Sequence, residues 1–353
     1  MKARNMIPLL ILLFLSTASP WGKEVVSLGD DLFETREAKI TSPMTSGEKV
    51  IINSAMGLSG KLNVISEEAE QASFVYKKIL KTSDPSEAMD YADVIEITLE
   101  ATPEGLKLLL QAPNPAPWGG SANSGRVEGD LYLPSDCHIE IDAAYFDLKI
   151  DGPFRSVRNK SSFGRLDIRK ITQEVNLATS SREIVAKDIS GDIALTTGNG
   201  EIKIENLVSR TRPADIINEN ANIYVSDASG SVNIKNSYGK IRLDNFHLKG
   251  ADSRITGSYG PIRLEISDIA NTALTISNQN EDIQVTLPDA VSAKFLLKVG
   301  LRGKINVEGL KARPTTVKSD RLEFITGAGE SEIAVDIEGN GNISLKGIPA
   351  KER

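Results

Sequence analysis

The sequence predicts an all-β protein, a β-solenoid of coils about 18 to 22 residues long with a small β-rich, α+β N-terminal cap. Three observations predict it. The octapeptide Gly-Glu-Ile-Lys-Ile-Glu-Asn-Leu at 200–207 returns as Gly-Lys-Ile-Arg-Leu-Asp-Asn-Phe at 239–246, with shorter copies beginning at Gly164, Gly260 and Gly303. Successive glycines are 36, 39, 21 and 43 residues apart, one or two multiples of a single period, and degenerate copies around Ile184, Ile223 and Ile283 fill the double gaps. Within each copy apolar and charged residues alternate, as Ile202 and Ile204 do against Glu201, Lys203 and Glu205, which marks a strand with one buried face. Composition agrees: 40% hydrophobic but only 5% aromatic residues suit thin coils filled by Ile, Val and Leu. Such a coil cannot bury its apolar side alone, so it must stack on neighbours about 4.8 Å away.

Taken in order, the chain opens with Met1-Lys2-Ala3-Arg4, an apolar run from Ile7 to Leu15 and the small residues Ser16-Thr17-Ala18. This is the pattern of a signal peptide, residues 1–18, cleaved near Ala18. The run is about ten residues, short of the roughly 20 that span a bilayer, and no later stretch is long enough. The expectation is an exported protein, in the periplasm, at the cell surface or secreted, with no transmembrane anchor. The only cysteine, Cys137, is too far from the signal to carry a lipoprotein anchor and has no disulfide partner, so stability must come from the core. Loss of Lys2 and Arg4 takes the balance from 41 basic against 48 acidic residues to 39 against 48, or −9. So acidic a chain is a poor partner for nucleic acid.

Residues 23–125 lack the repeat and form the expected cap. Lys49 to Val64 reads as two short strands broken at Met56-Gly57. Asp84-Pro85-Ser86-Glu87 has the N-cap, N1 proline and early acid of a short helix reaching about Tyr91. Val94–Glu100 and Gly105–Gln111 form a hairpin around Thr102-Pro103-Glu104-Gly105. A Pro/Gly-rich loop follows at 112–125; its Trp118 is a contact residue or, more simply, tucks back on the cap. The cap covers the apolar core and open strand edge of the first coil.

Alternation resumes at Val127, and residues 126–348 are the expected solenoid. Besides the cassette, each coil has a second short strand, such as Asp192–Thr196 or Ser231–Lys235, with Gly, Asn and Ser at the corners. A signal peptide, a non-repetitive front, Leu133-Pro134 and then repeated Gly-x-Ile-x-Ile cassettes resemble the bacterial putative-adhesin β-strand-repeat family, over roughly residues 45–346. The resemblance implies an extracytoplasmic, non-enzymatic protein and brings no catalytic residues with it.

The search for chemistry points the same way. His138 and His247 are the only histidines, about 110 residues apart, so a metal centre or a Ser-His-Asp triad would rest on one histidine. Cys137 and His138 are adjacent and point to opposite faces of a strand. His247 reads as a solvated corner. Thr197-Gly198-Asn199-Gly200 and Gly327-Ala328-Gly329-Glu330 lack the Gly-Lys-Ser/Thr ending of a phosphate loop and read as turns, and the calcium nonapeptide is absent. No cofactor or metal is implied. A carbohydrate-active β-helix enzyme is the rival, with Asp188 and Asp192 flanking one corner as candidate carboxylates. Acids scattered on a solenoid are more simply solvating groups.

A binding ladder remains. Aligned cassettes put Lys203, Arg242 and Arg263 in one outward column, with Tyr224 from the intervening coil between the first two, and Glu205, Asp244 and Glu265 two residues on. This is a surface of charge pairs that keeps the sheet soluble, or a repetitive face for a cell-wall or surface polysaccharide or another envelope protein. Phe163, Tyr238 and Tyr259, each just before a cassette glycine, either stack sugars at the corner or, more simply, pack inside it. Three function classes follow: an adhesin or cell-envelope binding module, a structural or self-assembling solenoid, and the enzyme.

Overall fold

The computed structural model describes residues 24–119, 122–160, 162–300 and 302–349. The signal segment expected at residues 1–18 lies outside them. Among the described residues, 28 strands join one continuous sheet and one helix covers part of its N-terminal end. Parallel pairing runs from cassette to cassette. Leu166, Ile184, Ile202, Ile223, Ile241, Ile262 and Ile283 stand in register, 18 or 21 residues apart, and all are essentially buried. The alternation seen in the sequence is thus one inward column after another, with the charged residues between them facing water.

Each coil has three sides rather than the two strands expected. In one coil the runs are Ile202 to Glu205, Leu207 to Ser209, and Ala214–Asn218, and each pairs in parallel with its counterpart in the next coil. The first two are separated by Asn206, whose φ of 59° bends the strand. Lys170, Asp188, Asp227 and Asn245 hold the same left-handed conformation in their own coils. Asp and Asn adopt it more easily than other side-chain-bearing residues. They also bond from coil to coil: Asn206 Nδ2 donates to Asp188 Oδ1 at 2.7 Å and Asn245 Nδ2 to Asp227 Oδ1 at 2.6 Å.

Stacking order departs from chain order at both ends. Ser59–Ser66 lies between Ser124–Leu133 and Phe146–Asn159, and Lys49–Ser54 between Gly105–Gln111 and His138–Asp142. The parallel ladder therefore reaches back past residue 126 into the front of the chain. At the far end Ile343–Ile348 is inserted between Ile283–Pro288 and Ile305–Glu308, and Ser331–Ile337 between Ala273–Asn278 and Ala293–Lys298. The cassette at Gly303 is in the ladder, but outside the C-terminal strand.

Antiparallel strands close the ends. Gln71–Lys81 covers Ser124–Leu133, and Glu96–Thr102 forms the expected hairpin with Gly105–Gln111. At the other end Arg321–Thr326 lies on Ala293–Lys298, with Arg313–Val317 outermost. The helix, Pro85–Val94, runs three residues beyond Tyr91; Asp84 caps it, accepting from Ser86 N at 2.8 Å. Trp118 is buried on the cap, its Nε1 donating to Gly57 O at 2.8 Å and its ring edge-on to Tyr91.

Candidate functional site

The cassette face brings the ladder residues together as their spacing requires. Lys203 stands opposite Tyr224, Tyr224 opposite Arg242, and Arg242 opposite Arg263, in four consecutive coils. The face carries a shallow depression of about 620 Å³, walled by Lys187, Lys203, Glu205, Tyr224, Arg242 and Asp244. Its charges are largely paired. Lys203 Nζ reaches Glu183 at 2.7 Å and Glu201 at 2.9 Å, and hydrogen bonds to those two carboxylates push its pKa up to about 12. The same lysine and the Asn222 amide hold the Glu201 carboxyl below its ordinary range. Lys187 bonds Glu205 at 2.7 Å, which raises the lysine's pKa, and Arg242 Nε bonds Asp244 at 2.7 Å. Arg263 is exposed and engages in no ion pair among the described residues. A ligand would find the free guanidinium at Arg263 and would have to compete with carboxylates along the rest of the line.

Phe163, Tyr238 and Tyr259 do not pack inside the corner. They are 48%, 61% and 53% exposed. Tyr238 lies flat on Tyr259 with ring centroids 5.2 Å apart, and Phe163 lies flat on Tyr145 at the same distance. The inward place is already taken by smaller polar side chains. Thr179, Thr197, Asn218, Asn236, Gly257 and Asn278 align from coil to coil. Apart from Gly257, which has none, their side chains are buried and serve the corner backbone: Asn218 Nδ2 donates to Gly200 O at 2.8 Å, while its Oδ1 accepts from Asn220 N and Ala221 N, each at 3.1 Å. With the corner sealed from within, the rings are left outside. Asn199 and Asn220 join side chains at 3.0 Å on the same corner, between the two aromatic pairs.

The other candidates fall to structural roles. Asp188 accepts from Asn206, and Asp192 from Thr211 at 2.6 Å while facing Arg212 at 3.3 Å. Cys137 is fully buried, its thiol directed at Pro134 O and its pKa pushed up to about 11 by burial. His138 points the other way, to Ser156 Oγ at 2.8 Å. His247 is not at a corner: it lies half-buried on the side of its coil that matches Leu207 to Ser209, between the inward Phe246 and Leu248. Among the described residues no group of three or more His, Cys, Asp or Glu side chains is placed to hold a metal ion. No helix among them is long and apolar enough to cross a membrane.

Stacked cassettes with inward aliphatic columns, out-of-order strands at both ends and a charged outer face define a β-strand-repeat protein. The family model for Toastrack DUF4097 matches residues 58–303, and the chain belongs to that family. Solved structures give weak likenesses. A putative cell adhesion protein from Clostridium sporogenes is 16% identical, over 89% of this chain and 100% of its own, with a TM-score of 0.20. Putative adhesins from Bacteroides fragilis and Parabacteroides distasonis are 10% and 8% identical, each over 88% of this chain and 97% of its own, with TM-scores of 0.22 and 0.23. No curated protein matches the sequence.

Proposed function

We propose that this chain is a non-enzymatic binding module of the cell envelope, exported by its N-terminal segment, whose cassette face holds an anionic polymer such as a cell-wall or surface polysaccharide. One observation carries the reading: Lys203, Tyr224, Arg242 and Arg263 occupy consecutive places in a single outward column beside a corner that exposes Tyr238 stacked on Tyr259. Contacts about 4.8 Å apart along a rigid face suit a repeating ligand, for which individually weak contacts add. Because Lys203 and Arg242 are already engaged by carboxylates, Arg263 carries most of the attraction.

The test is retention of the protein on anionic cell-wall fractions. Replacing Lys203, Arg242 and Arg263 together by Glu should abolish retention, Arg263→Glu alone should remove most of it, and Lys203→Glu alone should remove least. Retention of the parent should weaken as salt rises, because exposed charges are screened beyond about 10 Å at 0.1 M. A triple variant that folds normally and is retained as well as the parent would leave the face as a solvated surface.

A further inference from the structure

The charge of this chain is not spread evenly. From Asp84 to Glu104 there are seven acidic residues and no basic one; from Arg302 to Lys318 there are five basic residues and one acidic. The fold puts these two stretches at opposite ends. The acidic stretch is the helix Pro85–Val94 and the strand Glu96–Thr102, which ends the parallel ladder on the N-terminal side. The basic stretch includes Ile305–Glu308, the last cassette strand, and Arg313–Val317, the outermost strand on the C-terminal side.

Both ends are available. Asp90, Asp93, Glu96 and Glu100 are exposed, as are Arg302, Lys304, Lys311 and Lys318, and none of these eight has an ion pair among the described residues. Glu104 is the exception in the acidic stretch, bonded to Lys107 at 2.8 Å. Arg313 donates to Gly327 O and remains exposed. Among the described residues each terminal strand has ladder pairing on one side only, although Glu96–Thr102 also lies near Ala38–Pro43, and Val317 is 73% exposed.

We propose that the two ends are complementary docking surfaces, and that the basic C-terminal end of one copy receives the acidic N-terminal end of a second copy of this chain. Charged edge strands commonly serve to keep copies apart. That purpose is met by like charge at both ends, whereas opposite charge draws end to end together. Strand direction is compatible: Arg313–Val317 runs with the main ladder and Glu96–Thr102 runs against it, so the two edges meet antiparallel. Pro314 lacks an N–H and a bulge separates it from Thr316, so side-chain charge rather than an extended ladder forms the joint. Every such contact leaves one acidic and one basic end free, so the assembly grows as an open line unless it closes into a ring. The Lys203–Arg263 column lies on inner coils and takes no part, so failure of the proposed polymer face would leave this inference standing, and the reverse.

Sedimentation velocity of the full chain at 50 mM and 500 mM NaCl tests it. At low salt the weight-average mass should rise with concentration, and the apparent dissociation constant should increase about tenfold or more at the higher salt. Association through the apolar leader would respond to salt in the opposite sense. Two charge-reversed proteins sharpen the result: Lys304→Glu with Lys311→Glu and Lys318→Glu, and Asp90→Lys with Glu96→Lys and Glu100→Lys. Each should be monomeric alone, and a mixture of the two should associate at low salt. A parent that stays monomeric at low salt and high concentration overturns the proposal, including the case where its basic end instead binds vesicles containing anionic lipid. Reversed proteins that each associate as the parent does overturn it equally.

Discussion

Facing within the cassette decides what a single substitution does. Ile241 is fully buried while Arg242, the next residue, is exposed and, among the described residues, is paired with Asp244 in the same strand. Ile241→Asp places an unpartnered charge in an aliphatic column and should cost more than about 4 kcal/mol. Arg242→Asp should cost about 0.5 to 1 kcal/mol, since it exchanges an exposed pair for mild repulsion. Equal losses in thermal or urea unfolding would contradict the facing. Cys137 gives a second check. With its pKa near 11 in the fold and an ordinary value of 9.0 when unfolded, the native thiol keeps its proton between those pH values while the unfolded one loses it. This group therefore lowers stability as pH rises through that window. At pH 8 a thiol reagent should label Cys137 in urea and leave the native protein unlabelled over the same time; prompt native labelling would place the thiol elsewhere. Both residues were legible in sequence because alternation fixes facing. Phe163, Tyr238 and Tyr259 were not: apolarity suggested an inward place that Thr and Asn occupy, so the rings stack outside.

At the scale of the coil, corner chemistry matters as much as the strands. The signal for the buried polar column was present, a Thr or Asn three residues before the cassette glycine in Thr197-Gly198-Asn199-Gly200 and Asn236-Ser237-Tyr238-Gly239. It reads as turn composition until the structure shows those side chains inside. Asn218→Ala would strip partners from Gly200 O, Asn220 N and Ala221 N at once and should cost about 2 kcal/mol or more. Asn218→Thr should be milder, because Thr179 and Thr197 hold the same place, with hydroxyls donating to Gly164 O and Arg182 O. A threonine variant no more stable than the alanine one would show that this position acts through packing alone. The side of the coil after the bend, Leu207 to Ser209 and its counterparts, escaped the periodicity because a left-handed Asp or Asn breaks the alternation by one residue, so Leu207 and Phe246 appear out of phase with Ile204 and Leu243. The glycines were legible, and for a steric reason: a Cβ at Gly200 would sit 1.8 Å from Arg182 O in the coil below.

For the whole molecule, a period predicts that coils stack but not in what order, since similar cassettes are interchangeable neighbours. This is why the insertion of Ile343–Ile348 and Ser331–Ile337 between earlier coils could not be read from spacing. The insertion has an energetic consequence. In a plain solenoid each coil depends on its neighbours, and the terminal one frays first. Here the C-terminal strands are held on both sides, and among the described residues they supply the strand pairing that joins Ala293–Lys298 and Ile305–Glu308 to the main ladder. Removing residues 331–353 should therefore melt the segment from Ala293 to Thr326, although it precedes the cut, and leave the coils from Leu166 to Leu264 folded. Hydrogen exchange read by mass spectrometry distinguishes the cases. Amides of Ala293–Lys298 and Arg321–Thr326 should lose protection in the truncated chain while those of Ile223–Gly230 and Ile241–Lys249 keep it. Persistent protection of Ala293–Lys298 would mean that its antiparallel pairing with Arg321–Thr326 suffices and that the inserted strands only cover the end.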